Sequence, residues 1–434
     1  MLFLYQLGLL AFAVIYLPLR FLRGRGRLPG LRERLALYPA RQRKALAQLR
    51  RPIWLHVVSV GEVMAARPLV EQLRRRFPDR DWVISTVTPT GRTVAEKLIR
   101  GPQDQLIYLP WDFSPGMRQA IRLLRPRLFI SFETELWPVL FHELRASGVP
   151  VAVVNGRISP SAYRRYLWVR PWMERVLAPV QMFFLQSAQD ARRYAALGAA
   201  KDRLVVTGNV KWDLSFTEKL NGSAPEAIRS RLALSPGTAI WCAGSTHSGE
   251  ERLNLWAYRR IRRKHPNLKL VLAPRHPERV TEVEQVVSSL SLSSARWSRL
   301  KEGKQEKGEI LLVDTLGELA SFYAVSDLVF VGGSLVPHGG HNLVEPAIWS
   351  RPILTGPHLH NFQAISEILI QAGGVMVVRS AQELEERIGR LLRDPAIGQE
   401  MGRRANALLE QNRGATLRSA EYLSIRWGKI LAES

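Results

Sequence analysis

Two glutamates that follow apolar runs are the first residues of this sequence to which a chemical role can be given. Glu62 ends the run Ser59-Val60-Gly61-Glu62, and Glu133 lies in Ser131-Phe132-Glu133-Thr134-Glu135-Leu136-Trp137-Pro138. A glutamate at the end of a strand can serve as general base for an acceptor hydroxyl. We predict that role for Glu62, and for Glu133 a second role in orienting the acceptor or assisting the base. The alternative for Glu62 and Glu135 is structural, because a carboxylate in the first turn of a helix complements its dipole.

A third segment, Thr88-Pro89-Thr90-Gly91-Arg92, combines a predicted helix start with a cation. Free amides in the first turn of a helix and a guanidinium together suit a phosphate or a carboxylate. A structural turn with a solvated arginine explains the same residues, and both interpretations stay open.

Two segments in the second half of the chain suit a phosphorylated donor. The loop Ala243–Glu250 carries small side chains at Ser245 and Thr246, and its amides could bind an anion. The run Pro274-Arg275-His276 follows the next apolar stretch and offers a guanidinium to neutralise a phosphate. A loop of the first kind is a weak signal when taken alone.

The segment Val331–Pro346 is the longest candidate motif. Its pair Gly339-Gly340 allows close backbone approach to a ligand, and a helix predicted to begin near His341-Asn342 would direct its amides at a phosphate. Glu345, three or four residues along that helix, could accept hydrogen bonds from two ribose hydroxyls. The alternative is that the glycines serve only tight turns.

Other motifs in the sequence have weaker interpretations. Asp79-Arg80-Asp81 precedes a predicted strand, at the wrong end of a sheet for a ligand, and is predicted to be a solvated loop. The pairs His338/His341 and His358/His360 lack cysteine or carboxylate companions at ligand spacing, so phosphate or donor contacts are predicted and no metal or cofactor. The sequence has no phosphate-loop or Gly-x-Gly-x-x-Gly motif at its opening βα turn, which disfavours ATPases and dehydrogenases.

The elements that must position these residues follow a βαβ pattern. From Trp54 onward short apolar runs alternate with amphipathic stretches, and the pattern restarts near Ala239. We predict an α/β protein with two doubly wound, Rossmann-like domains, whose ligands bind at the carboxyl ends of the strands in an interdomain cleft. The stretch Ser291–Gly308 is predicted to be a mobile surface loop. Predicted strands are 54–60, 82–88, 105–109, 128–132, 151–155, 182–186 and 204–207, then 239–243, 268–273, 310–313, 328–331, 352–355 and 375–378.

The predicted domain organisation has five parts. These are a membrane anchor helix at 1–20, an acceptor-binding domain at 21–212, a linker at 213–237, a donor-binding domain at 238–405 and C-terminal helices at 406–434 that could pack back on the first domain. The stretch 1–19 is uncharged and precedes Arg20, Arg23, Arg25 and Arg27, which is typical of a retained helix with the rest of the chain on the cytoplasmic side. A helix lying in the membrane interface is the alternative.

Charge and cysteine content limit the partners. Lysine and arginine outnumber aspartate and glutamate by 62 to 38, and the formal charge of +24 indicates a polyanionic partner: nucleic acid, phospholipid or a phosphorylated glycolipid. The single cysteine, Cys242, lies in an apolar run and is predicted to be buried in a strand. One cysteine excludes a disulfide framework and fits a reducing compartment.

Taken together, these segments resemble the Kdo transferases of glycosyltransferase family 30, which add 3-deoxy-D-manno-octulosonic acid (Kdo) to lipid A precursor in Gram-negative bacteria. The resemblance covers nearly the whole chain. It rests on the apolar N-terminus and on Ser-Val-Gly-Glu at 59–62, Glu-Thr-Glu-Leu-Trp-Pro at 133–138, Asn-Gly-Arg-Ile-Ser at 155–159, Gly-Asn-Val-Lys-Trp-Asp at 208–213 and Gly-Gly-His-Asn-Leu-Val-Glu-Pro at 339–346.

The resemblance implies a GT-B fold, CMP-Kdo as donor and a phosphorylated, acylated glucosamine disaccharide (lipid IVA) as acceptor. It implies inverting transfer without a metal, at an inner membrane whose anionic lipids attract the basic chain. Glu62 would be the base and Glu133 a second acidic residue of the site. Lys211 or Arg92 would meet the Kdo carboxylate or an acceptor phosphate. The CMP pocket would comprise Ser245, Thr246, Arg275 and the segment 338–345.

Three other functions compete with this one. Only the motif match distinguishes a Kdo transferase from a lipid-directed transferase that uses a UDP-sugar. A GT-B-like sugar-nucleotide 2-epimerase would have no reason for a membrane anchor. A nucleic-acid-binding protein would cluster its basic residues with aromatic stacking platforms. Here lysine and arginine are dispersed over predicted helices, and the loops after strands carry carboxylates.

Overall fold

The structure, a computed structural model, describes residues 2–22, 28–213, 225–232, 234, 237–304 and 306–432. The chain divides into two units, residues 1–214 with 413–434, and residues 215–412. Most of the predicted linker 213–237 lies outside the described residues, as do Arg23, Arg25 and Arg27 of the predicted basic flank.

A sheet of seven parallel strands, in the order β3-β2-β1-β4-β5-β6-β7, forms the centre of the first unit. The seven predicted strands are all present, and most of their side chains are buried because helices cover both faces of a parallel sheet. His56 pairs in register with Ser85 and Ser131, so the ends of β1, β2 and β4 are level. The strands are β1 Ile53–His56, β2 Trp82–Thr86, β3 Asp104–Tyr108, β4 Leu128–Phe132, β5 Val151–Gly156, β6 Met182–Leu185 and β7 Leu204–Val206.

The second unit has a similar parallel sheet in the order β10-β11-β9-β8-β12-β13-β14. Six of its strands were predicted, and Cys242 is a buried residue of β8, as expected. The strands are β8 Ala239–Thr246, β9 Leu268–Pro274, β10 Ser294–Arg296, β11 Ile310–Leu312, β12 Leu328–Val331, β13 Ile353–Thr355 and β14 Val375–Val377.

The prediction of a mobile loop at Ser291–Gly308 is wrong. Strand β10 pairs with β11 at the sheet edge, and the helix Trp297–Lys301 follows it. Trp297 is buried, and its indole N–H donates to Glu318 at 3.1 Å. A three-residue strand with polar neighbours has too short an apolar pattern to be found from the sequence.

Helices flank both sheets. In the first unit they are Leu2–Leu22, Leu31–Arg34, Ala40–Ala47, Val60–Arg76, Pro89–Ala95, Ser114–Leu124, Pro138–Ala146, Pro160–Trp168, Arg170–Leu177, Ala188–Ala196 and Ala415–Ala432. In the second they are Pro225–Arg231, Glu250–Arg262, Val280–Ser289, Trp297–Lys301, Leu319–Val325, Val344–Ala347, Gln363–Gln371, Ala381–Arg393 and Pro395–Asn412.

The helix Ala415–Ala432 belongs to the first unit, although the whole second unit precedes it in the chain. Leu423, Trp427 and Leu431 are buried in the apolar cluster beneath β1 and β2. Asp213 accepts hydrogen bonds from the amides of Gly414 and Thr416, both at 2.7 Å, and so fixes the start of this helix.

The loop Asp79-Arg80-Asp81 is not solvated as predicted. Arg80 and Asp81 are buried. The Arg80 guanidinium donates to the Leu431 carbonyl at 2.5 Å, and Asp81 accepts from the Arg50 amide at 2.6 Å. The loop therefore has a structural role: Arg80 holds the last helix, and Asp81 holds the residues that precede β1.

The helix Leu2–Leu22 begins the first unit and is docked on it through its first turns. Gln6 accepts a hydrogen bond from the Ser114 amide at 3.0 Å, and the Tyr5 ring lies 5.7 Å from that of Trp172. Among the described residues, no helix reaches the length and apolarity of a membrane span. The membrane anchor stays a prediction.

Candidate functional site

Glu62 lies in the first turn of the helix Val60–Arg76, just beyond the end of β1. Ser59 caps that helix by accepting from the Glu62 amide at 3.4 Å. The Glu62 carboxylate reaches back, accepting from the Val58 amide at 2.8 Å and from the Ser59 hydroxyl at 3.1 Å. This reciprocal arrangement is a variant of the capping box, with the carboxylate bound to the amide that precedes the cap residue, so the structural alternative is also realised here.

The environment of Glu62 also favours its use as a base. Burial raises the pKa of Glu62 above its ordinary value, the Val58 amide opposes that shift, and the nearby Glu133 carboxylate adds to it. A carboxylate with a raised pKa is a stronger proton acceptor, and general bases work best when their pKa approaches the working pH. Glu62 therefore combines a fixed position with increased basicity.

Glu133 follows β4 and is held by two cations. The Lys211 ammonium lies 2.6 Å from one carboxylate oxygen, and the Arg157 guanidinium lies 3.5 Å from the other. Glu133 is buried and has a positive φ of 59°, which is uncommon for a glutamate and concentrates at functional sites. The structure thus brings Glu62, Glu133 and Lys211 together. Lys211 is close enough for its positive charge to lower the pKa of Glu62.

Two asparagines position Lys211. Asn209 accepts from the Lys211 amide at 3.0 Å, and Asn155 accepts from the Val210 amide at 3.1 Å. Asn155 is buried at the end of β5 and has φ of 58°. Sequence reasoning included Asn155 and Arg157 in a motif but gave them no role. The available signal was that Asn155 ends a predicted strand and Arg157 lies two residues beyond it.

Glu135 adds a third carboxylate to the group. Burial, followed by the negative charges of Glu62 and Glu133, raises the pKa of Glu135 to about 7. Neighbouring carboxylates resist simultaneous ionisation, so protonation of Glu135 lowers the negative charge of the site. A base, a carboxylate paired with cations and a third carboxyl group of raised pKa can together bind an acceptor hydroxyl.

Arg92 has a different environment from the one expected of a ligand-binding cation. Its guanidinium lies 2.8 Å from the Glu33 carboxylate and 4.6 Å above the Tyr108 ring. Thr88 caps the helix Pro89–Ala95 by accepting from the Gly91 amide at 3.1 Å. The amides and the cation of this segment therefore already have protein partners.

In the second unit, Glu250 ties two loops together. It is fully buried at the start of the helix Glu250–Arg262. Its carboxylate accepts from the amides of His247, Gly333, Ser334 and Leu335 at 3.0, 2.6, 2.9 and 2.8 Å. Glu250 therefore binds amides that the sequence analysis predicts to be free for a ligand. The sequence analysis assigns no role to Glu250 itself.

Four histidines and an arginine lie beside the loops that Glu250 connects. His247 and His341 approach with their Nε2 atoms 2.8 Å apart, and the His338 ring stacks on His247 with centroids 4.2 Å apart. The His276 ring lies 5.9 Å from His247. We call His247, His276, His338, His341 and the exposed Arg275 the histidine cluster.

Electrostatics keep the centre of the histidine cluster neutral. Burial, and then the charge of His338, lowers the pKa of His247 to about 4. Burial, and then Arg275, lowers the pKa of His341 to about 3. An anion placed here would oppose both shifts, so the cluster can bind a phosphate through Arg275 and through protons taken up on binding.

The remaining predicted donor residues surround the same loops. Ser245 has a positive φ of 54° at an irregularity between β8 and β9, and Thr246 is buried beside it. The Arg275 amide donates to the Thr246 carbonyl at 2.9 Å, which places Pro274 and Arg275 against this turn.

The glycine-rich segment has a structural reason for its glycines. Gly339 and Gly340 have φ of 96° and 74°, and a Cβ at Gly339 would lie 2.4 Å from the Asn361 side chain. The predicted helix start near His341-Asn342 is wrong, because the helix is only Val344–Ala347. Asn342 accepts from the Val344 amide at 3.1 Å, delaying the helix, and its side-chain amide donates to Glu345 at 3.2 Å.

Within the described part of the chain, no group of three or more histidine, cysteine, aspartate or glutamate side chains has the arrangement of a metal site. The histidine cluster, although rich in nitrogen ligands, does not have that arrangement either. The expectation of metal-free chemistry stays a prediction.

Comparisons with known proteins agree on one family. A family model described as 3-deoxy-D-manno-octulosonic-acid transferase (kdotransferase) matches residues 29–214. A 3-deoxy-D-manno-octulosonic acid transferase of Haemophilus influenzae is 36% identical over 372 residues, which make up 86% of each chain. A protein of the same name from Bordetella pertussis is 33% identical over 391 residues, 88% of each chain.

Solved structures support the fold. One described as a putative UDP-N-acetylglucosamine 2-epimerase from Listeria monocytogenes matches with a TM-score of 0.57 and 15% identity, over 88% of this chain and 97% of that one. At this identity the likeness shows a GT-B-like α/β fold and does not distinguish a transferase from an epimerase.

Proposed function

Because the chain belongs to the 3-deoxy-D-manno-octulosonic acid transferase family, we propose that it transfers Kdo from CMP-Kdo to the lipid A precursor lipid IVA, with inversion and without a divalent metal ion. Family membership makes it a Kdo-transferring glycosyltransferase of lipopolysaccharide core biosynthesis. The single observation that supports the proposed mechanism is the grouping of Glu62, Glu133 and Lys211 in one site of the first unit.

In the proposed reaction, an acceptor hydroxyl oxygen attacks the anomeric carbon of Kdo while Glu62 takes its proton. The bond from that carbon to the phosphate oxygen breaks, and CMP leaves with the electron pair. The Ser59 and Val58 donors hold the Glu62 carboxylate in place, so little ordering is needed during the reaction. One base suffices for this chemistry.

Glu133 is proposed to orient the acceptor. Its carboxylate is paired with both cations, and Arg157, which has 43% of its side chain exposed, can turn toward an anionic group of either substrate. Lys211 is proposed to meet the Kdo carboxylate or an acceptor phosphate in the same way. Both cations would then position the substrate as well as the Glu133 carboxylate.

The second unit is proposed to bind the donor. Arg275 and the histidine cluster would neutralise the phosphate, which gains charge when CMP leaves. Asn342 and Glu345 lie along the same segment and are proposed to bind the ribose hydroxyls.

The acceptor is a lipid, so we also propose that the enzyme works at the cytoplasmic face of the inner membrane. The formal charge of +24 suits anionic lipids, and Phe3, Leu4 and Leu7 of the first helix are exposed apolar residues. Phospholipid and phosphorylated glycolipid then account for the basic charge without a nucleic-acid partner.

The test is transfer of labelled Kdo from freshly generated CMP-Kdo to tetraacylated lipid A precursor in the presence of EDTA. Wild type should transfer Kdo, and Glu62→Gln should lose activity by about 10²–10⁴-fold, the usual contribution of a general base. Glutamine preserves the capping box, so this variant removes the base and keeps the helix start.

Glu383→Gln is the matched control, because Glu383 has the same helix-start arrangement in the second unit: its carboxylate accepts from the Arg379 amide at 2.8 Å and its amide donates to the Ser380 hydroxyl at 3.1 Å. It should retain most of the activity. Loss of activity in EDTA would refute the metal-free mechanism, and equal losses in both variants would leave Glu62 only its structural role. Turnover of UDP-sugars in place of CMP-Kdo, by transfer or by epimerisation, would overturn the substrate assignment.

A further inference from the structure

The first unit contains an apolar cavity that the proposed chemistry does not use. Its volume is about 570 Å³, within the range of small-molecule binding sites. Its lining includes Leu9 and Leu10 of the first helix, Leu35 and Leu37 of the segment that follows, and Trp137. All of these side chains are hydrophobic.

The two charged groups that line the cavity are already bonded within the protein. Asp112 accepts from the amides of Val139 and Leu140 at 3.0 and 2.8 Å and from the Tyr5 hydroxyl. Arg34 donates to the Pro29 and Val87 carbonyls. A polar ligand would therefore lose its bonds to water on entering and find few to replace them, whereas a hydrocarbon chain would lose none.

Exposed apolar residues continue the cavity to the surface. Leu10, Leu35, Leu37 and Phe113 line it and are more than one-third exposed, with Leu37 at 56%. Soluble surfaces seldom expose such groups side by side unless they meet a lipid or a partner. The opening thus suits a ligand that arrives from an apolar phase.

The cavity lies at the edge of the sheet that carries the carboxylates. Trp137 lines it two residues beyond Glu135, and its ring packs 5.7 Å from that of His56 at the end of β1. Trp111 follows β3 and lines it as well. A ligand with its chain in the cavity would keep its other end near the β1 and β4 loops.

We propose that this cavity is an acyl-chain subsite, which holds one fatty acyl chain of the acceptor and so positions the acceptor hydroxyl near Glu62. The inference rests on the proposed function, since it assumes an acylated acceptor. It adds a named site to that function: the residues that select the lipid part of the substrate are those of the cavity wall.

The test fills the cavity and compares two acceptors. Gly116 lines the cavity, and a Cβ there would meet Ala36 at 3.7 Å and Leu35 at 3.9 Å, which is ordinary contact. Gly116→Leu should raise KM for the tetraacylated acceptor roughly tenfold, as expected if about two methylene groups can no longer be buried. Transfer to the same phosphorylated disaccharide without acyl chains should not change.

Gly8→Leu is the matched control, because it makes the same replacement in a helix of the same unit, outside the cavity, with no atom within 4 Å of a Cβ. It should leave KM for the acylated acceptor within about twofold of wild type. A second readout is binding of a fluorescent long-chain fatty acid, which Gly116→Leu should weaken and Gly8→Leu should not.

Unchanged fatty-acid binding and unchanged KM in Gly116→Leu would overturn the subsite. Weaker fatty-acid binding with an unchanged KM would assign the cavity to a bulk membrane lipid and also overturn the proposal. If wild type transfers Kdo to neither acceptor, the proposed function fails, and the fatty-acid titration still shows whether the cavity binds an acyl chain.

Discussion

The two units place a glutamate at corresponding positions and use it differently. Glu62 and Glu250 both lie in the first turn of the helix that follows the first strand of a sheet. Glu62 is half-buried and receives one amide and one hydroxyl, whereas Glu250 is fully buried and receives four amides. A carboxylate saturated with donors can only hold the backbone, whereas one with spare acceptor capacity can take a proton.

The neighbours of each glutamate reinforce this difference. The Glu133 carboxylate adds to the raised pKa of Glu62, whereas Glu250 binds the amide of His247, a member of the histidine cluster. The first unit is therefore arranged for a proton acceptor, and the second for an anion.

The strongest test of the comparison is stability. In Glu250→Gln one carboxylate oxygen becomes an NH₂ group, so two buried amides lose their acceptor, and unfolding free energy should fall by about 3 kcal/mol. Glu62→Gln should lose less than about 1 kcal/mol, because glutamine can also serve a capping box. Urea denaturation of both variants measures the two values. Equal losses of stability would contradict the conclusion that Glu250 holds the backbone whereas Glu62 acts as a base.

A second test concerns the cations of the first site. Lys211→Met should leave Glu133 with Arg157 alone, lowering stability by about 2 kcal/mol and acceptor turnover with it. Adding Glu133→Gln should recover most of the stability and none of the turnover. Thermal unfolding and initial rates measure both, with the exposed Lys201→Met as the control variant.

The third test uses the raised pKa of Glu135. Its pKa of about 7 lies above the unfolded value, so the folded state holds the proton between about pH 4.5 and 7 and is destabilised above that window. Glu135→Gln should therefore raise the melting temperature by roughly 3 °C at pH 8. The gain should disappear near pH 4, where both states are protonated.

The exposed Glu96→Gln serves as the control, since no such gain is expected there. A gain that is the same at pH 4 and pH 8 would show that removal of charge at Glu135 is not its cause.

The smallest expected effect is proton uptake by the histidine cluster. His247 and His341 have pKa values of about 4 and 3, so both are neutral at pH 7 until a phosphate raises them. CMP affinity should increase a few-fold from pH 8 to pH 6, with protons taken up on binding. Calorimetry in buffers of different ionisation enthalpy detects this uptake.

His247→Gln should abolish the uptake, whereas His142→Gln in the first unit should preserve it. CMP binding that neither depends on pH nor takes up protons would show that the cluster is not the phosphate site.

Sequence reasoning found most of the fold because the strands are Val- and Ile-rich runs with clear ends. It found Glu62 and Glu133 because each directly follows such a run. It missed β10, whose three residues lie in a polar stretch, and the role of Glu250, because three of its four partner amides begin 83 residues later in the chain. Backbone amides leave no pattern of side chains in a sequence, so these hydrogen bonds become visible only in the folded structure.

The helix Ala415–Ala432 makes the first unit discontinuous in sequence. During synthesis on the ribosome, residues up to about 214 emerge long before this helix, so the surface later covered by Leu423, Trp427 and Leu431 stays uncovered while the second unit is translated. We therefore expect chaperones to bind the nascent first unit. Its folding is completed only after the second unit has been made.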